Sequence, residues 1–102
     1  MDRVALFFKL KQGKLEGYIS RHKDIGSSMQ KVLDAAGIRN YSIWSLNEML
    51  FAYYEVDNTE SAKQVLSKSP VYENWRKEME EYVEIDISGK KEWPLLNVFF
   101  KE

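Results

Sequence analysis

The period of the apolar positions changes several times along this chain. From Val4 to Leu10 it is apolar and β-prone, bounded by Gln12-Gly13, which predicts a largely buried strand. Between Lys14 and Ala36 apolar residues recur at helical spacing, at Leu15, Tyr18, Ile19, Ile25, Met29, Val32, Leu33 and Ala36, and Gly37 supplies a stop. Gly26-Ser27-Ser28 weakens the middle of that stretch and predicts a kink or a break into two helices. Tyr41 to Leu46 and Met49 to Val56 are two β-prone runs around Asn47-Glu48, the pattern of a hairpin. Asn58 is a candidate N-cap for a short helix through Leu66. Ser69-Pro70 starts another helix, with Val71, Trp75 and Met79 on one stripe. Leu95 to Phe100, introduced by Pro94, reads as a closing strand.

The resulting order is β-α-β-β-α-β, an α+β fold of the ferredoxin-like type with helices on one face of an antiparallel sheet. The whole of 1–102 reads as a single domain, without repeats or linkers. The other sheet face would carry aromatic and aliphatic residues, so a homodimer of the dimeric α/β-barrel type is expected through it. Trp93 is assigned to that contact and not to catalysis.

Composition narrows the function classes. A chain of 102 residues with 44% hydrophobic and 30% charged content is globular, with a modest core and 14% aromatics for an interface. Formal net charge is −1 and no stretch concentrates Lys and Arg, so neither nucleic acid nor an anionic membrane is an expected partner. The absence of cysteine excludes disulfides, thiol catalysis and thiolate metal sites, and is compatible with the cytoplasm. The sequence from Met1 to Val4 lacks the charged-then-apolar pattern of a signal peptide, and no apolar run is long enough for a membrane span.

The single histidine, His22, follows Tyr18 by four residues, so a helix brings phenol and imidazole to one face. Imidazole alone among side chains has an unperturbed pKa near neutrality, which makes His22 the candidate acid-base group. A bland reading stands beside each candidate: Tyr18 also lies on the apolar stripe of a core-facing helix, and Arg76 fits a solvated helix position.

Four segments carry a family likeness. Tyr18-Ile19-Ser20-Arg21-His22, Gly37-Ile38-Arg39-Asn40-Tyr41-Ser42-Ile43-Trp44, Leu50-Phe51-Ala52-Tyr53-Tyr54-Glu55-Val56 and Trp75-Arg76-Lys77-Glu78-Met79 occur in register, and Val98-Phe99-Phe100 closes the chain. In this the chain resembles the L-rhamnose mutarotase family over nearly its whole length. The resemblance implies a dimeric α/β-barrel domain that interconverts the α and β anomers of a monosaccharide, L-rhamnose or a related 6-deoxy or L-sugar, without a cofactor or metal. It puts the catalytic histidine at His22 and sugar contacts at Tyr18, Tyr41, Trp75 and Arg76. The chain departs from the family pattern where Ile-Trp-Pro-Glu is usual, having Gly26-Ser27-Ser28 after Ile25, and in having Arg76 as the second member of a tryptophan pair. The second proton carrier is not selected by spacing; Asp24 and Glu55 are the carboxylates considered. Two other readings are a haem-binding or monooxygenase-like module on the same scaffold, with His22 as axial ligand, and a non-catalytic interaction domain.

Overall fold

The computed structural model describes residues 1–102. In chain order the elements are β1 (Asp2–Lys9), α1 (Leu15–Lys23), α2 (Ser27–Ala35), β2 (Ile38–Leu46), β3 (Met49–Val56), α3 (Thr59–Ser67), α4 (Pro70–Met79) and β4 (Trp93–Pro94). The strands form one antiparallel sheet ordered β2-β3-β1-β4. This is the expected ferredoxin-like α+β architecture, with each helical crossover made of two short helices.

Local chemistry sets the helix ends. The long helical stretch breaks at Gly26, whose φ of +86° suits glycine and not an L side chain. Gly37 ends the second helix at φ +74°, and its N–H reaches the carbonyl of Asp34 at 3.0 Å. Asn58 caps α3 by accepting from the Ser61 N–H at 2.9 Å, and Ser69 caps α4 by accepting from Tyr72 at 3.1 Å, with Pro70 in the first turn.

Strand β2 starts earlier than the apolar run suggests, at Ile38, because it contains a bulge. Asn40 and Tyr41 together oppose Tyr54, and the register resumes at Ser42↔Tyr53. Asn40 takes φ +52°, a left-handed conformation asparagine tolerates, and its amide donates to Glu55 at 2.8 Å. The extra residue resets the alternation, so Ile38, Tyr41 and Ile43 all lie on the helix-covered face.

That face holds the core. Phe8, Leu10, Tyr18, Leu50 and Ala52 form one buried cluster, and Ala36, Ile38, Val56 and Ala62 another. The cross-strand pairs Phe7↔Phe51, Trp44↔Phe51, Leu46↔Met49 and Phe7↔Trp93 put the remaining large apolar groups on the opposite, uncovered face. There Trp44 is 71% exposed and Leu46 59%.

The expected closing strand over Leu95 to Phe100 is not formed. The ladder is confined to Trp93 and Pro94, and the Leu95 N–H to the Ala5 carbonyl at 2.8 Å is its last bond. Pro94 contributes no N–H, as its edge position permits. Beyond it, Leu96, Val98 and Phe99 are each more than 80% exposed, because one protomer offers no face to bury them. The tail returns to β1, where the Arg3 guanidinium lies 3.8 Å from the Phe100 ring centroid.

Candidate functional site

A cavity of about 770 Å³ opens between the sheet and the helices α1, α2 and α4. All five residues singled out from the sequence line it: Tyr18 and His22 from α1, Tyr41 from β2, and Trp75 and Arg76 from α4. Of its 24 lining residues 17 are hydrophobic, so it is an apolar hollow with a few polar groups, the usual composition of a small-molecule site.

Helix α1 turns Tyr18 inward, against Phe8 at 6.2 Å and Tyr82 at 6.1 Å between ring centroids. His22, one turn on, lies over the Tyr18 ring at 4.2 Å and meets Trp75 near-perpendicularly at 5.0 Å. Its Nδ1 is 2.9 Å from the Tyr18 carbonyl oxygen. A carbonyl only accepts, so Nδ1 carries the proton and Nε2 of the neutral ring keeps its lone pair. Burial is the main influence on this imidazole and lowers its pKa; the Tyr18 carbonyl opposes the shift, and the Arg21 charge adds to it. The site therefore holds a neutral base at neutral pH.

Tyr41 stacks near Tyr54 at 5.2 Å. The residue is 45% exposed at the rim, yet its phenol is crowded. Burial raises its pKa, and the proximity of Tyr72, Tyr54 and Glu92 raises it further. Tyr18 is raised in the same way, by burial and then by Tyr41, so both phenols remain hydrogen-bond donors.

Arg76 is less free than its sequence position suggests. Its Nε and Nη2 donate to the two carboxylate oxygens of Glu73, at 3.2 and 3.1 Å, and Nη1 lies 4.0 Å from Glu80.

Several lining residues escaped sequence reading. The inward stripe of α4 is Tyr72, Trp75 and Met79, since Val71 is exposed; the i, i+3, i+7 spacing of these three was the available signal. Lys91 and Glu92 line the cavity from the segment between α4 and β4, where no periodicity marks them. Asp24 and Glu55 are not in the lining. Asp24 follows α1 outside it, and Glu55 lies on the uncovered sheet face, bonded by Asn40 and Tyr53.

Comparison with known proteins settles the family, because the model of the L-rhamnose mutarotase family matches residues 3–101. The chain belongs to that family. An L-rhamnose mutarotase of Bacillus subtilis is 36% identical over 81 residues, covering 78% of this chain and 77% of the relative. The crystal structure of an L-rhamnose mutarotase from Formosa agariphila superposes on this family member with a TM-score of 0.82 at 24% identity, over the full length of both chains. A candidate antibiotic biosynthesis monooxygenase from Nitrosomonas europaea reaches a TM-score of 0.64 at 10% identity, covering 91% of this chain and 84% of that one. That similarity is one of fold, and the monooxygenase-like reading gains nothing more from it.

Proposed function

We propose that this member of the mutarotase family interconverts the α and β anomers of L-rhamnose or a closely related 6-deoxy or L-sugar, by acid-base opening and closure of the pyranose ring. The observation that carries the reading is the meeting of Tyr18, His22, Tyr41, Trp75 and Arg76, from three separate elements, around one cavity in a chain of this family.

The chemistry follows from the groups present. Nε2 of neutral His22 takes the proton of the anomeric hydroxyl while the bond between C1 and the ring oxygen breaks. The ring oxygen leaves with the proton now on the imidazolium, giving the open hydroxy-aldehyde. Both oxygens are carried by C1, so one imidazole reaches each in turn. The aldehyde rotates about its bond to C2, and the same transfers in reverse close the ring on the other face. Tyr18 and Tyr41 stay protonated and donate to sugar oxygens, and the Arg76 guanidinium in the cavity lining adds a further donor. Trp75 and the aliphatic walls pack against the C–H face and the methyl group of the sugar.

The working unit in this reading is a homodimer joined through the uncovered sheet face, where Phe7, Trp44, Leu46, Met49, Phe51 and Trp93 share one side. Only 10 of 102 residues are buried in the single chain, which leaves that apolar face to supply the missing core. No helix is long and apolar enough to cross a membrane, and the cytoplasm is the proposed compartment.

Saturation-transfer NMR on a panel of free sugars tests the function. Acceleration of anomer exchange for L-rhamnose above buffer is expected, with weaker effects on sugars lacking the C6 methyl. No acceleration for any sugar would overturn it.

A further inference from the structure

His22 is held from one side by its own helix and from the other by Trp75. The indole is itself held from α1. The Cζ of Arg21 lies over the Trp75 ring, 4.7 Å from its centroid, a cation–π arrangement. Along one edge the guanidinium donates through Nε and Nη2 to the two carboxylate oxygens of Glu78, one turn along α4 from Trp75, and its Nη1 donates to the Asp24 carbonyl just after α1. Forked pairing of this kind fixes orientation as well as charge. It joins α1 to α4 at the level where imidazole and indole meet.

Neither Arg21 nor Glu78 lines the cavity, and each of the three guanidinium nitrogens of Arg21 already donates to Glu78 or Asp24. Arg21 therefore acts through other side chains and not by touching a sugar. We infer that Arg21, held by Glu78, is a positioning residue of this site: it sets the indole of Trp75 and, through it, the direction in which His22 presents Nε2 to the pyranose. This rests on the mutarotase reading for its consequence in rate, while its geometric part is measurable without substrate.

The chain has one histidine, so its NMR spectrum contains one imidazole, whose ring protons sense the ring currents of Tyr18 and Trp75. The experiment compares wild type, R21Q, R21K and E78Q in imidazole shifts and in kcat and KM for anomer exchange. R21Q and E78Q are expected to lower kcat about 10- to 100-fold, with KM changed less than about threefold, since a small misplacement of a reacting group costs rate. Both should move the imidazole resonances toward those of a free histidine. R21K, which keeps charge but not the fork, should recover part of kcat. If R21Q loses spectral dispersion and so the fold, E78Q decides, because it removes a charge without changing shape. Unchanged kcat in the folded variants, a rise in KM alone, or a fall in kcat with unmoved imidazole resonances each overturn the proposal. A wild type that exchanges no sugar removes the functional reading instead, and the imidazole shifts still decide whether Arg21 sets the site.

Discussion

The Nδ1 of His22 lies 2.9 Å from the main-chain oxygen of Tyr18, one helical turn back. That contact assigns the tautomer, since the nitrogen facing a carbonyl must carry the hydrogen. It leaves Nε2 as the reactive atom in an imidazole that burial keeps neutral.

The first consequence is a pH dependence of defined sign. His22 should titrate below the usual histidine value of about 6.5, read from its single imidazole signal. Anomer exchange should be level near neutrality and fall as pH drops through that midpoint, because the cation has no lone pair at Nε2. Stability moves the same way. The unfolded chain takes up this proton at the higher, ordinary pKa, so between the two values it binds more protons than the folded chain. Stability is therefore lost on acidification through that window. A midpoint above the ordinary value contradicts the burial argument.

Tyr18 separates core packing from chemistry. Its ring is 6% exposed within the main buried cluster, while its hydroxyl makes no side-chain hydrogen bond in the chain. Y18F should change stability by less than about 1 kcal/mol, as no protein hydrogen bond is lost. It should still slow exchange several-fold or raise KM. Y18A should cost about 3–5 kcal/mol through the cavity it leaves. Denaturant midpoints and exchange kinetics on the two variants check this, and unchanged kinetics in Y18F would return Tyr18 to packing alone.

Asn40 aims Tyr41. At φ +52° glycine is tolerated, whereas a β-branched side chain is strained by about 1–2 kcal/mol. N40G is expected to keep most of the activity. N40V should lower both the denaturant midpoint and kcat/KM, because straightening the bulge turns Tyr41 toward the other face. Full activity in a destabilised N40V would show that the bulge does not serve the site.

The uncovered sheet face predicts a sedimentation result. Wild type should run as a dimer at micromolar concentration, and W44E, which places a charge on a residue 71% exposed in the single chain, should weaken the association at least tenfold. A monomeric wild type would contradict the interface.

How legible this was depends on where the information lies. Met49–Val56 was readable to the residue, because its apolar run is bounded by a turn and an N-cap. Ser69-Pro70 likewise marked the start of α4, since a hydroxyl acceptor and a fixed φ are local devices. The bulge at Asn40 was not readable: it depends on which residues of β3 stand opposite, a non-local fact. Leu95 to Phe100 misled for a related reason, since an apolar run marks a strand only where a face exists to bury it. Tyr18 and His22 were placed together by i, i+4 spacing alone, but their meeting with Trp75 and Tyr41 comes from packing. Glu92 and Lys91 reach the cavity from a segment without period and left no local trace.

The most direct test is saturation transfer between the anomeric protons of L-rhamnose with wild type and H22A, both shown to be folded by spectral dispersion. Wild type should raise the exchange rate well above buffer, and H22A should return it to the buffer value. An H22A protein that exchanges the anomers as fast as wild type would contradict the account.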